Sequence, residues 1–123
     1  MIAINTQNAP KAVGPYSQAS LNNGLLFISG QLGFDPKTSL LLGGFEAQAE
    51  QVFKNLEAVL KEADFTFTNV MKVSVFLQSM NDFTSLNSIY AKYFTEPYPA
   101  REAIEVAALP KGGLVEISLI AMK

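Results

Sequence analysis

LVEISLIAM, residues 114–122, is apolar on both faces of the strand it predicts. Side chains alternate across a strand, so Val115, Ile117, Leu119 and Ala121 point one way, and Leu114, Glu116, Ser118, Ile120 and Met122 the other. Such a strand belongs in a sheet that is covered on both sides. The chain itself supplies cover for one side. From Glu46 to Ala63 the apolar residues Ala49, Val52, Phe53, Leu56, Val59, Leu60 and Ala63 recur at three and four, the period of an amphipathic helix. Glu46 and Glu50 sit near its positive end, where carboxylates are favoured. A second helix is predicted over 82–95, where Phe83, Leu86, Ile89, Tyr90, Tyr93 and Phe94 repeat at the same spacing. Asn81 reads as its N-cap, and Pro97 and Pro99 stop it. Two helices cover one face of a sheet. The other face is expected to meet a second copy of the chain, in a two-fold dimer or a ring alike.

Further strands are predicted at 1–5, 17–22, 25–29, 70–78 and 101–108. Asn22-Asn23-Gly24 reads as a hairpin turn, and Gly30 as the end of a buried strand. The order β-β-β-α-β-α-β-β makes an α+β fold, a mixed sheet with two helices on one face, in a single domain over residues 1–123.

Composition removes much chemistry. The chain has no cysteine and no histidine, so disulfides, thiol nucleophiles, Ser-His-Asp triads and Cys/His zinc sites are excluded. Its net charge of −2 and its lack of lysine runs argue against nucleic acid as a partner. No stretch reaches the roughly 18 apolar residues of a membrane span, and residues 1–12 do not resemble a signal peptide, so a cytoplasmic protein is expected. Charged residues are 16% of the chain against about 25% in ordinary domains, consistent with surface covered by a partner.

The remaining chemistry rests on few groups. Arg101 is the single arginine, and it heads the run AIEVAAL. A guanidinium offers a fixed fork of donors that matches a carboxylate at two points; the alternative is a structural ion pair with Glu102, Glu105 or Glu116. With Ile104 and Val106 turned to the helices, Arg101, Ala103 and Glu105 are expected on the other face, the side that also carries Glu116. Glu116 is then either a site carboxylate or a solvated one. Tyr16, in VGPYSQA, either closes a pocket or packs on the surface. Ser29-Gly30 permits close approach of a ligand or simply ends a strand. Asn87, a poor helix former within a helix, serves a partner or faces water.

These segments stand in a familiar order. GPYSQA at 14–19, ISGQLG at 28–33, NVMKVSVFL at 69–77, FTSLNSIYAKYF at 83–94, PAR at 99–101 and VAALPKGGLVEI at 106–117 together resemble the RidA family, also called YjgF-type or reactive-intermediate imine deaminases. The resemblance runs from about residue 8 to the C-terminus. It implies a chorismate-mutase-like fold and a homotrimer with clefts between subunits. It implies hydrolysis of 2-imino acids such as 2-iminobutanoate and 2-iminopropanoate to 2-oxo acids and ammonia, a form of protection against metabolite damage, with no metal or cofactor. Arg101 would bind the substrate carboxylate, and Glu116 would hold or activate water. Tyr16, Ser29, Gly30 and Asn87 would line the cleft, and Ala103 would contribute its backbone. Ala103 stands where well-known members carry Cys, Glu102 where a small or neutral residue is usual, and Ser118 where an acid is common. Glu102 is close enough in sequence to compete for Arg101. A non-catalytic binder of small carboxylates is the main alternative, and a ribonuclease or a chaperone-like surface protein are further ones.

Overall fold

Asn23 and Gly24 both take positive φ, 50° and 79°, the conformation a two-residue hairpin turn requires. They fold β2 (Ala19–Asn22) back against β3 (Leu25–Gln31). The computed structural model describes residues 1–123. Around this hairpin it builds one six-stranded sheet with β1 (Ile2–Ile4), β4 (Val70–Leu77), β5 (Ala100–Glu105) and β6 (Val115–Met122), in the order β1-β2-β3-β6-β4-β5. Neighbours are antiparallel except β4 and β5, which run parallel. Helices α1 (Phe45–Glu62) and α2 (Phe83–Tyr90) complete the order expected from the sequence. Neither is long and apolar enough to cross a membrane.

β6 lies between β3 and β4, which explains its composition. Val115, Ile117, Leu119 and Ala121 are fully buried with Val73, Val75 and Leu77 of β4 against Val52, Phe53, Leu56, Val59 and Leu60 of α1 and Leu86 of α2. Its other row joins Phe27, Phe76 and Ile104 on the face without helices. That face is apolar and open: Phe27, Ile104 and Met122 are about half exposed.

Three buried amides tie loops to this frame. Gln18 accepts from the Thr6 N–H (2.6 Å) and donates to the Thr6 and Pro10 carbonyls (3.1 and 2.8 Å). Gln48 of α1 bridges the Leu42 carbonyl and the Leu114 N–H. Asn55 donates to the carbonyls of Leu32 and Phe34.

The structure corrects several expectations. α2 spans 83–90, not 82–95. Tyr93 and Phe94 still pack on the core, Tyr93 stacking on Phe53 at 4.6 Å, so the apolar period outlasts the helix. Asn81 is not an N-cap: it lies in a short 3₁₀ turn, Met80–Asp82, where the Ser79 hydroxyl accepts its N–H at 3.1 Å. β3 continues through Gly30 to Gln31 across a bulge, and β5 stops at Glu105.

The phase of β5 is the largest correction. Parallel pairing sets Arg101 beside Val73 and Ala103 beside Val75, on the helix side, and Glu102 beside Ser74 and Ile104 beside Phe76, on the open side. Glu116 pairs with Phe76 and is also on the open side. Arg101 and Glu116 of one chain therefore lie on opposite faces of the sheet, not on the same one. β5 is an edge strand whose helix-side positions are only partly covered. Apolar character there marks the open face rather than the core.

Candidate active site

The seven residues singled out from the sequence fall into two groups. Tyr16, Ser29, Gly30 and Glu116 line one cavity of about 860 Å³, together with Leu32 and Lys111. Arg101, Asn87 and Ala103 lie on the helix side of β5 and on α2, outside that cavity.

The first group is organised by the bulge in β3. Ser29 donates its hydroxyl to the Ser17 carbonyl at 2.7 Å, and its N–H to the Gln18 carbonyl at 2.9 Å. These bonds hold the Tyr16 loop against the sheet. Tyr16, 54% exposed, stands at the rim with its hydroxyl accepting the Val13 N–H at 3.4 Å. The Glu116 carboxyl lies directly over Gly30: a β-carbon there would sit 2.8 Å from its Cδ and 2.9 Å from Oε1. Glycine leaves the carboxyl the space that a side chain would otherwise take. Burial, with no cation paired to it, pushes the Glu116 carboxyl above the ordinary glutamate value.

The second group is built around Arg101. Its Nη1 donates to Asn87 Oδ1 at 2.8 Å, and its guanidinium carbon lies 4.8 Å from the centre of the Tyr90 ring. The alternative, a structural ion pair of Arg101, is not formed: the three ion pairs of the chain all use lysines. Glu102 bonds Lys72 at 3.1 Å and the Ser74 hydroxyl on the opposite face, and Glu105 accepts the Met80 N–H at 2.8 Å. Glu102 thus does not compete for Arg101 within the chain.

The profile described as Endoribonuclease L-PSP matches residues 6–123. The 2-iminobutanoate/2-iminopropanoate deaminase of Bos taurus is 50% identical over 98% of this chain and 88% of its own. A RutC family protein of Pyrococcus horikoshii is 49% identical over 98% and 96%. The crystal structure of RidA from the Antarctic bacterium Psychrobacter matches with a TM-score of 0.98 at 50% identity, over the whole of both chains. The chain belongs to the RidA family. Its mixed α+β fold, with six strands and two helices, is that of RidA structures. E. coli TdcF, solved with bound serine, matches this RidA-family member at TM-score 0.95 and 34% identity, over 100% of this chain and 99% of its own.

Sequence reasoning missed some residues around both groups. Lys111 lines the cavity with a positive φ of 57°, and the turn LPKGG was the only sign of it. Phe83 and Tyr90 touch Arg101 but read as core because their spacing is helical.

Proposed function

We propose that this RidA-family chain hydrolyses 2-imino acids, 2-iminobutanoate and 2-iminopropanoate in particular, to 2-oxo acids and ammonia. The observation that carries the proposal is Arg101: a single guanidinium held by Asn87, with no carboxylate of its own chain to neutralise it. The names of relatives about half identical over nearly the whole chain support the reaction. The serine-bound relative supports a ligand of amino-acid size.

Arg101 takes the substrate carboxylate on its free N–H groups and so fixes the imine carbon. Glu116, as carboxylate, takes a proton from water as the oxygen attacks that carbon. It gives that proton to the imine nitrogen, then takes the hydroxyl proton of the resulting carbinolamine and passes it to the same nitrogen, so that the C=O bond forms as the C–N bond breaks and ammonia leaves. Such proton transfer is worth about 10²–10⁴-fold. Imines also hydrolyse unaided, so two ionisable groups suffice. Tyr16 and Ser29 shape the cleft, and the backbone near Gly30 and Ala103 completes the carboxylate site.

Arg101 and Glu116 must then come from different copies. The open apolar face is the surface that a second copy covers. Head-to-tail contacts, closed into the homotrimer that the family resemblance implies, bring the β5 edge of one chain to the cavity of the next.

The test is 2-oxobutanoate formation from freshly generated 2-iminobutanoate. Arg101→Ala is expected to abolish acceleration, and Glu116→Gln to lower it by about 10²–10⁴-fold. Refolded together in equal amounts, they are expected to restore about a quarter of the wild-type sites, those with an intact arginine from one copy and an intact glutamate from another. Acceleration by Arg101→Ala alone would overturn the proposal. Mixtures that stay inactive would overturn the shared site. Ligand binding without turnover in the wild type would leave a carboxylate-binding protein.

A further inference from the structure

Helix α2 sets Phe83, Asn87 and Tyr90 at i, i+4 and i+7, one stripe along its surface. The helical period assigns the two aromatics to the core, and Tyr90 does stack on Phe94 at 4.5 Å and meet Phe53 edge-on at 6.1 Å. The same stripe also holds Arg101. Its guanidinium carbon lies 4.8 Å from the Tyr90 ring centre and 5.5 Å from that of Phe83, while Asn87 between them takes Nη1. The polar and aromatic neighbours that fix the guanidinium all come from one face of one helix.

We infer that Phe83 and Tyr90 are positioning residues for Arg101, a π-faced cradle that orients the guanidinium without neutralising it. The inference rests on the reading of Arg101 as carboxylate anchor given above. A carboxylate would orient the fork equally well, but it would occupy the donors and charge that the substrate needs. An aromatic face attracts the cation through its quadrupole and leaves the in-plane N–H groups free. The cradle also settles an arginine on an edge strand before the ligand arrives, so less side-chain freedom is lost on binding.

The Tyr90 hydroxyl sharpens the inference. It is the only buried side-chain polar atom in the chain without a hydrogen-bond partner. Burial raises its pKa above the ordinary tyrosine value, with the nearby Arg101 charge opposing the shift. The hydroxyl holds nothing in this chain, so the ring is the working part. Tyr90→Phe should keep the cradle, and Tyr90→Leu should break it.

Because Arg101 is the only arginine, its Nε–H gives a single NMR signal whose order parameter reports the cradle directly. Affinity for 2-oxobutanoate, by calorimetry, reports its effect on the anchor. Phe83→Leu and Tyr90→Leu are each expected to loosen the Nε–H signal and weaken 2-oxobutanoate about 3–10-fold. Their KM should rise more than kcat falls. Tyr90→Phe is expected to match the wild type on every readout. Phe83 is only half-buried, so its variant decides the matter should Tyr90→Leu fail to fold. Leucine variants with a rigid Nε–H and wild-type affinity would overturn the inference. So would a Tyr90→Phe variant as impaired as Tyr90→Leu. If Arg101→Ala leaves 2-oxobutanoate binding unchanged, the anchor reading falls, and the Nε–H order parameters alone decide the cradle.

Discussion

Gly30→Ala adds one methyl group at the place where Glu116 is seated. The new carbon would lie 2.8 Å from Glu116 Cδ, 2.9 Å from Oε1 and 3.0 Å from Cγ. Carbon atoms settle at about 3.5–4.0 Å, so the carboxyl must retreat by roughly 0.5–1 Å. The obstacle is the end of a flexible side chain rather than backbone, and Gly30 is a strand residue without positive φ. Folding should tolerate the change. A rotamer pushed about 30° off its well costs about 0.5–1.5 kcal/mol, and replacing Gly by Ala recovers about 0.4–1 kcal/mol from the unfolded chain. The two nearly cancel, and Tm should stay within about 4 °C of the wild type.

Activity should not tolerate it. A misplacement of about 1 Å in a reacting group can cost about 10²-fold, so kcat/KM on 2-iminobutanoate is expected to fall by roughly 10–100-fold. The cause is isolated by a double-mutant cycle with Glu116→Gln, read as the rate of 2-oxobutanoate formation. If Gly30 acts by seating that carboxyl, the methyl group should cost little more once the carboxylate is gone. A Gly30→Ala enzyme with normal turnover would refute the reasoning. Additive losses in the cycle would give Gly30 a role apart from Glu116.

Glu116 itself should trade stability for activity. Its pKa is raised in the fold, so its favourable contribution is present below the unfolded value and is lost as pH rises through the folded value. Glu116→Gln is therefore expected to raise Tm at neutral pH, with the gain fading as pH falls toward the ordinary glutamate range; an unchanged Tm at pH 7 would count against a desolvated carboxylate. In activity, the acid limb of the kcat/KM profile should lie above the ordinary glutamate range, and a limb below it would remove Glu116 as the base. Arg101→Lys should lose most turnover, because an ammonium cannot make the two-point contact, and a Lys variant with wild-type kcat/KM would refute bidentate binding. Gln18→Leu should destabilise by about 2–4 kcal/mol in urea melts, since it strands the Thr6 N–H and the Thr6 and Pro10 carbonyls; a loss under about 0.5 kcal/mol would show that water replaces the amide. Glu50 bonds Lys92 and, at 2.8 Å, the Tyr93 hydroxyl, which hold its carboxyl below the ordinary value; burial and then the bond to Glu50 push Tyr93 up to about 12. Stability from Glu50 should be present above the ordinary glutamate value and lost as pH falls through the lowered one, and a cycle of Glu50→Gln with Tyr93→Phe should show a coupling of about 0.5–1 kcal/mol at neutral pH.

The centre of the sheet was legible because its last strand is apolar on both faces. β6 is apolar on both faces and lies at the centre of the sheet, with helices on one face and an open apolar surface on the other. The period of α1 located that helix to within a residue at each end. β5 misled because an edge strand inverts the rule: Ile104 faces the open side with Phe76, and Arg101 faces α2. The buried amides were invisible for a related reason. Gln18, Gln48 and Asn55 look like surface residues, but backbone groups of the surrounding loops give each of them partners. Asn87 shows the same ambiguity resolved by one contact, the hydrogen bond to Arg101.

Local rules are broken in few places here, and those places coincide with the two halves of the site. Gly30 weakens a strand interior, and the carboxyl above it is buried without a cation. The Tyr90 hydroxyl is buried without a partner beside Arg101. Four non-glycine residues take positive φ: Asn23 belongs to the β2–β3 turn and Asp64 follows the end of α1, where such a conformation is ordinary, but Ser39 and Lys111 both line the Glu116 cavity. Elsewhere the polar groups of the interior are paired and its apolar faces match. A chain selected for stability alone would have Ala or Val at Gly30, Gln at Glu116 and Phe at Tyr90, each compatible with its element. The two patches carry these costs on opposite faces of one sheet, and within one chain neither patch can use the other. On the reading proposed above a second copy brings the patches together, and the costs at Gly30 and Glu116 are then those of a site completed between chains.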